Sequence, residues 1–166
     1  RLVAATNKGL MVTSDFGKNW QTLGITSINV LDVNSSSTFP QKLFVGSSNG
    51  LLISEDNGIS WTLKEFGEAI TSIVIPKSDP KVIILSVMGG NVYKSNDYGE
   101  SWILIYESTS FYGSTAIAVD PNNPSRIYIG PENRGLLMSI NGGETWEYKG
   151  LKGVYISIIL ISKFNS

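Results

Sequence analysis

The 166 residues include neither cysteine nor histidine. Without thiols there are no disulfides and no thiolate metal sites, while the redox compartment is left open. Without imidazole the commonest general base, every His-dependent triad and most zinc sites are excluded. Arginine is scarce as well, with Arg1, Arg126 and Arg134 the only three. Charged residues make up 16% of the chain and nearly cancel, at a net of −1. They are spread along it, so neither a nucleic-acid footprint nor a polybasic membrane patch is visible. No apolar run approaches the length of a transmembrane helix, so no membrane insertion is expected. No signal peptide is legible at Arg1, and the missing initiator Met leaves a removed leader open.

What is present is a phrase used four times. It reads Thr13-Ser14-Asp15-Phe16-Gly17-Lys18-Asn19-Trp20, then Ser54-Glu55-Asp56-Asn57-Gly58-Ile59-Ser60-Trp61, then Ser95-Asn96-Asp97-Tyr98-Gly99-Glu100-Ser101-Trp102, and finally Ser139-Ile140-Asn141-Gly142-Gly143-Glu144-Thr145-Trp146. All four tryptophans of the protein fall in it. The copies start 41, 41 and 44 residues apart, and the wrap from the last copy through the C-terminus to the first is 40. A fixed period near forty is the mark of a repeat architecture.

Between the phrases lie short alternating or apolar runs with turn residues between them, the pattern of antiparallel strands. The second repeat gives runs at 27–34, 42–47, 51–54 and 60–65; the third at 70–76, 81–87, 91–95 and 101–106; the fourth at 114–120, 126–130, 136–139 and 145–149. We label them A to D. The first repeat opens directly on B (1–6), with C from Leu10 and D from Asn19. Residues 154–161 form one more apolar run with no B, C or D after it, a hazard if left as a bare edge. The predicted fold is therefore all-β, a single domain over 1–166. It is a β-propeller of four four-stranded antiparallel blades, one closed by N- and C-terminal strands, with 154–161 completing the blade begun at 1–23. Three alternatives stay open: a two-sheet sandwich, a four-blade segment of a larger propeller, and half of an eight-bladed ring formed as a homodimer by two copies exchanging the 154–161 strand.

Each phrase sits where C must reverse into D. An Asp at its third position can accept backbone N–H bonds, and a Gly two residues later can take positive φ. The Trp can plug the space between strands, so replacing Trp61 or Trp102 by Ala is expected to cost about 3 to 5 kcal/mol. Asn141 replaces Asp in the fourth copy, which should make that turn the least firmly held. The look-alike of a calcium loop around Asp56 lacks the carboxylate ladder and distal Glu, so no metal and no cofactor are expected.

These residues resemble the Asp-box motif, or bacterial neuraminidase repeat: Asp15, Gly17, Trp20; Asp56, Gly58, Trp61; Asp97, Gly99, Trp102; Asn141, Gly143, Trp146. The proline-flanked loops at 76–80 and 120–124 are similar to those of sortilin-type propellers, photosystem II assembly factors and xyloglucan-degrading glycosidases. The resemblance implies that the phrase is a fold element away from the functional face. It also implies a protein or glycan ligand and leans towards an extracytoplasmic or cell-surface location.

The functional face of such a fold gathers the B–C and D–A loops, here 7–9, 24–26, 48–50, 67–68, 88–90, 108–113, 131–135 and 150–153. Phe111, Tyr112, Glu132, Asn133 and Arg134 stand out as ligand-binding candidates, by stacking and charge. A sialidase needs three arginines on that face, and only Arg134 falls there; Arg1 and Arg126 take the place of Lys42 and Lys81 at the start of B. A two-carboxylate glycosidase would draw on Asp32, within an inner strand, and on Glu68, Glu107 or Glu132. Asp32 and Glu132 are its catalytic candidates, and the expected function is a non-catalytic binding or assembly module, with a glycoside hydrolase as the alternative.

Overall fold

The computed structural model describes residues 1–109, 113 and 115–162. All of its regular structure is β. The strands are β1 (Leu2–Thr6), β2 (Gly9–Thr13), β3 (Gln21–Thr26), β4 (Val30–Ser35), β5 (Leu43–Ser47), β6 (Gly50–Ser54), β7 (Thr62–Lys64) and β8 (Ile70–Val74). They continue with β9 (Ile83–Val87), β10 (Val92–Ser95), β11 (Ile103–Tyr106), β12 (Ala116–Asp120), β13 (Asn123–Gly130), β14 (Leu136–Ser139) and β15 (Glu147–Gly150). Each lies on one of the runs read from the sequence, with ends shifted by a few residues. No helix is long and apolar enough to cross a membrane among the described residues.

The strands form antiparallel sheets in the orders β1-β2-β3, β4-β5-β6-β7, β11-β10-β9-β8 and β12-β13-β14-β15. Three sheets thus have four strands and the first has three. Residues 151–162 contain no strand. Ile156 lies against Gly130 of β13, close enough that a Cβ on Gly130 would stand 2.7 Å from the Ile156 Cβ. The segment is held by packing on that sheet and not by a ladder.

The chain falls into two compact units, Arg1–Ile73 and Val74–Ser166. The first has a core of Leu10, Ile25, Val30, Val45 and Leu52, with Leu23 and Trp61 packed on it. The second is built on Val82, Ile84, Val92, Ile117, Val119, Ile127 and Ile129, with Ile105, Tyr106 and Trp146 alongside. The central strands β5 and β9 are buried at every residue. They read as continuous apolar runs because both faces are covered. By contrast the β1 pattern is exposed to half-buried throughout.

The repeated turns show why their residue types recur. In the second copy the Ser54 hydroxyl donates to Asp56 Oδ1 at 2.8 Å and accepts from the Gly58 N–H at 2.8 Å. Asp56 in turn accepts from the Ser60 N–H at 2.9 Å and from the Ser60 hydroxyl at 2.6 Å. The first and third copies repeat this around Asp15 and Asp97. These bonds hold the Asp15, Asp56 and Asp97 carboxyls down at about 2; the largest cause is the hydroxyl of Thr13, Ser60 and Ser101 respectively. In the fourth copy Asn141 Oδ1 still accepts from Thr145 N–H at 3.0 Å, but its amide now donates to the Thr145 hydroxyl at 2.9 Å.

Gly17, Gly58, Gly99 and Gly143 have positive φ, as expected. So does the residue before each: Phe16 (61°), Asn57 (63°), Tyr98 (62°) and Gly142 (73°). In three copies that residue's N–H donates to the start of strand B of its own repeat or to the residues just before it: Asn57 to Gln41 O, Tyr98 to Lys81 O and Gly142 to Ser125 O. In the second and fourth copies the turn glycine also faces the last strand of the preceding repeat. A Cβ on Gly58 would meet Leu23 of β3 at 2.7 Å, and one on Gly143 would meet Ile105 of β11 at 2.8 Å. These two turns therefore fasten their sheet to the preceding one.

Candidate functional site

The loops at the other end of the strands are tight hairpins tied to one another. In the first unit Ser27 N–H donates to Lys8 O at 3.1 Å and Ser48 N–H to Asn29 O at 3.0 Å. Thr6 and Ser47 occupy the same hairpin position, each donating its hydroxyl to a glycine carbonyl, Gly9 at 2.6 Å and Gly50 at 2.9 Å. These loops carry few functional groups and read as scaffold.

The second unit builds something larger. The loop from 107 to 115 joins β11 to β12 and is anchored on two neighbours. On one side Ser108 N–H donates to Asn91 Oδ1 at 2.8 Å, and the Thr115 hydroxyl donates to Gly90 O at 2.8 Å. On the other the Arg134 guanidinium donates to the Thr109 hydroxyl at 3.0 Å. Gly113 is buried against Glu132, whose Oε2 lies 2.6 Å from where a Cβ would sit, so only glycine fits there. The turn carrying Glu132, Asn133 and Arg134 closes with Arg134 N–H on Pro131 O at 3.2 Å and places Asn133 at φ 59°. Gly135 packs it onto the Gly150 carbonyl, 2.4 Å from a would-be Cβ.

Of the five binding candidates, Glu132, Asn133 and Arg134 thus share one turn, with Glu132 half-buried and the other two exposed. Phe111 and Tyr112 lie outside the described residues. Tyr106, at the end of β11, sets its ring edge-on to Trp146 at 6.0 Å. Burial pushes the Tyr106 phenol up, and the Arg134 charge opposes that rise. The arrangement offers a cation, a carboxylate and an amide on one turn, beside the tethers at Ser108, Thr109 and Thr115, which suits recognition of a polar ligand.

The catalytic candidates stand apart. Asp32 lies in β4 of the first unit, where Oδ1 accepts from Val33 N–H at 2.8 Å and Oδ2 from Ile73 N–H at 2.6 Å. Asn34 donates its amide to Ile73 O at 3.1 Å, so the two side chains grip the Ile73 peptide from both sides. Burial pushes the Asp32 carboxyl up while the two backbone donors pull it down. Oδ2 joins β4 to β8, while Oδ1 is engaged within β4 itself. Glu68 and Glu107 are exposed loop residues.

The other arginines are structural. Arg1 donates to Asn57 O at 2.9 Å, and Arg126 pairs with Asp120 at 2.9 Å. Strand register aligns them with Lys42, which is buried beneath Glu55 at 2.6 Å. In the third repeat the same register position holds the buried Val82, and Lys81 sits one residue earlier. Among the described residues no group of three or more Asp and Glu side chains converges as a metal site.

An apolar cavity of about 400 Å³ lies along the inner strands of the second unit, lined by Val74, Ile117, Val119, Ile159 and Ile161 among others. Nothing in the sequence pointed to it, because its walls are ordinary strand residues.

Comparison with known proteins places these features in a family. Xyloglucanase Xgh74A of Acetivibrio thermocellus is 30% identical over 95 residues, which are 49% of this chain and 11% of that enzyme. The chain spans about a tenth of the length of the curated relatives it matches. An ancestral GH74 enzyme superposes with a TM-score of 0.79 at 25% identity, over 90% of this chain and 22% of the other. YCF48 bound to D1 peptide superposes with a TM-score of 0.61 at 22% identity, over 87% of this chain and 48% of the other, a likeness of fold alone. The DUF6242 beta propeller domain matches residues 2–111. Four-repeat period, all-β sheets and turn geometry agree with that match, and the chain belongs to the DUF6242 β-propeller domain family.

Proposed function

We propose that the chain is a non-catalytic binding module of Asp-box propeller type, using the face opposite the repeated turns to hold a protein or glycan. The observation that carries this reading is the tethered loop of the second unit, anchored through Asn91, Gly90 and Arg134 beside the turn that presents Glu132, Asn133 and Arg134. Phe111 and Tyr112 complete the proposed ligand set. The relatives named for xyloglucan favour a polysaccharide as the first ligand to try, and with it an extracytoplasmic or cell-surface location. The D1 peptide held by YCF48 keeps a protein ligand in the test.

The test is calorimetric titration with xyloglucan oligosaccharides, alongside an assay for newly released reducing ends. Saturable binding is expected, weakened tenfold or more by Arg134→Ala at unchanged melting temperature, with no turnover. If no glycan in a panel binds, affinity capture with the unaltered chain and Arg134→Ala asks the same of a protein. Equal capture by both, or by neither, would sink the proposed face.

A second reading, a glycoside hydrolase, is favoured by the named activity of Xgh74A. It requires turnover of a β-glucan that is abolished by Asp32→Asn or Glu132→Gln. The engagement of both Asp32 oxygens by backbone N–H groups counts against it.

A further inference from the structure

The fold ordinarily spends its positive charge on internal partners. Lys42 is buried against Glu55 at 2.6 Å, Arg126 pairs with Asp120 at 2.9 Å and Lys149 with Glu147 at 2.7 Å. Arg1 turns both terminal nitrogens onto Asn57, at 3.4 Å to Oδ1 and 2.9 Å to the carbonyl oxygen. Arg134 departs from this use. It is exposed, and its Nη2 donates to the Thr109 hydroxyl at 3.0 Å, a neutral partner 25 positions away. Among the described residues no carboxylate pairs with it.

The acid nearest to it in sequence is aimed elsewhere. Glu132, on the same turn, is half-buried and lays Oε2 on the buried Gly113, 2.6 Å from where a Cβ would stand. Its carboxylate thus faces the 107–115 loop, while the guanidinium stays at the surface. The groups presented beside that guanidinium can all donate. Thr109 accepts from Arg134, so its own hydroxyl proton is left to give. Asn133, exposed on the same turn, offers two amide N–H groups. Gly135 packs the turn onto the carbonyls of Gly150 and Leu151, and the next residue of that loop is the exposed Lys152. The surface is rich in donors and positive, with its own carboxylate tucked inward.

Given the ligand face proposed above, we infer that it selects a carboxylate-bearing sugar, a hexuronate residue of an acidic polysaccharide, held by the Arg134 guanidinium with the Thr109 hydroxyl and the Asn133 amide beside it. A guanidinium matches a carboxylate with two parallel N–H bonds, roughly twice as strong as neutral ones. The bond to Thr109 uses one N–H of Arg134, which orients the planar fork and leaves an edge open for such a pair. What the turn lacks favours a sugar over an acidic peptide. Pro131 and Gly135 are buried, so the turn shows no apolar side chain of the kind that anchors a protein partner. Hydroxyl and amide groups suit the ring hydroxyls of a sugar.

The test is calorimetric titration of the unaltered chain with a β-1,4-linked oligoglucuronate and with the same oligosaccharide after reduction of its carboxyls to primary alcohols. The acidic form should bind about tenfold more tightly, the worth of one charge-assisted pair. That gap should narrow as salt rises from about 50 to about 500 mM. Arg134→Gln keeps donors without the charge and should bring the two forms within about twofold of each other, at an unchanged melting temperature. Arg134→Lys, a charge without the fork, should fall between. Equal affinity for both forms, each weakened by Arg134→Gln, would overturn the carboxylate while keeping the face. Affinities that Arg134→Gln leaves untouched would overturn both. A chain that binds neither sugar, or that binds a glutamate-rich peptide in their place, would also overturn the inference.

Discussion

At the scale of single residues, the turn chemistry decides both strain and pH response. Phe16 holds a left-handed φ of 61° with its side chain 96% exposed, so it contributes little packing in return. Left-handed backbone costs a residue with a Cβ about 1 kcal/mol, less for Asn, whose short side chain bonds locally. Phe16→Asn should therefore stabilise the fold by about 0.5 kcal/mol, read as a higher urea midpoint. The carboxyls of Asp15, Asp56 and Asp97 sit at about 2 in the folded protein, against about 3.9 in an unfolded chain. The folded state thus binds protons less readily than the unfolded one. The resulting stability is full above pH of about 4 and is lost as pH falls towards 2. Urea midpoints measured across that window should fall steadily, and the acid loss should be smaller in Asp56→Asn. Equal acid loss in both would detach the effect from the turns.

At the scale of elements, the glycines measure how the sheets are fastened together. Gly17 and Gly58 share a φ near 90°, but only Gly58 has a neighbouring strand against it. Gly17→Ala should cost about 1 kcal/mol for the backbone alone, and Gly58→Ala about 1 to 3 more because Leu23 must yield. Matching losses in chemical denaturation would mean that the turn does not bear on β3. Trp61 is half-buried, donates to Gly58 O at 3.1 Å and packs on the first core. Trp61→Ala should then cost about 2 to 3 kcal/mol, below the range for full burial. Strand positions and the turn function of Ser, Asp and Gly were legible in the sequence because the period repeats them four times. The positive φ of Phe16 and Tyr98 was not, since an aromatic residue carries no sign of a left-handed backbone. Nor was the role of Asp32, which depends on the Ile73 amide 41 positions away. The apolar character of 154–161 was readable, and the approach of Ile156 to Gly130 was not, because a run of Ile and Leu says nothing about its neighbour.

At the scale of the whole molecule, order is graded along the chain. β5, β6 and β9 are buried at every residue, while residues 151–162 are exposed or half-buried and carry no ladder. Amide exchange should be slowest in those three strands and fastest in 151–162, approaching unprotected rates. The binding candidates on the 131–135 turn were found from charge in a glycine-rich loop. The tethers that hold the neighbouring loop were hidden, because hydroxyl and amide partners at Asn91, Thr109 and Thr115 look like ordinary loop polarity. One substitution has a bearing on the fate of the repeats in acid. With a side chain that cannot take up a proton there, Asn141 keeps its grip on Thr145 at a pH where Asp15, Asp56 and Asp97 are letting go. The turn that lacks a charge at neutrality becomes the durable one in acid, and loss of structure should begin elsewhere in the chain and reach the fourth repeat last.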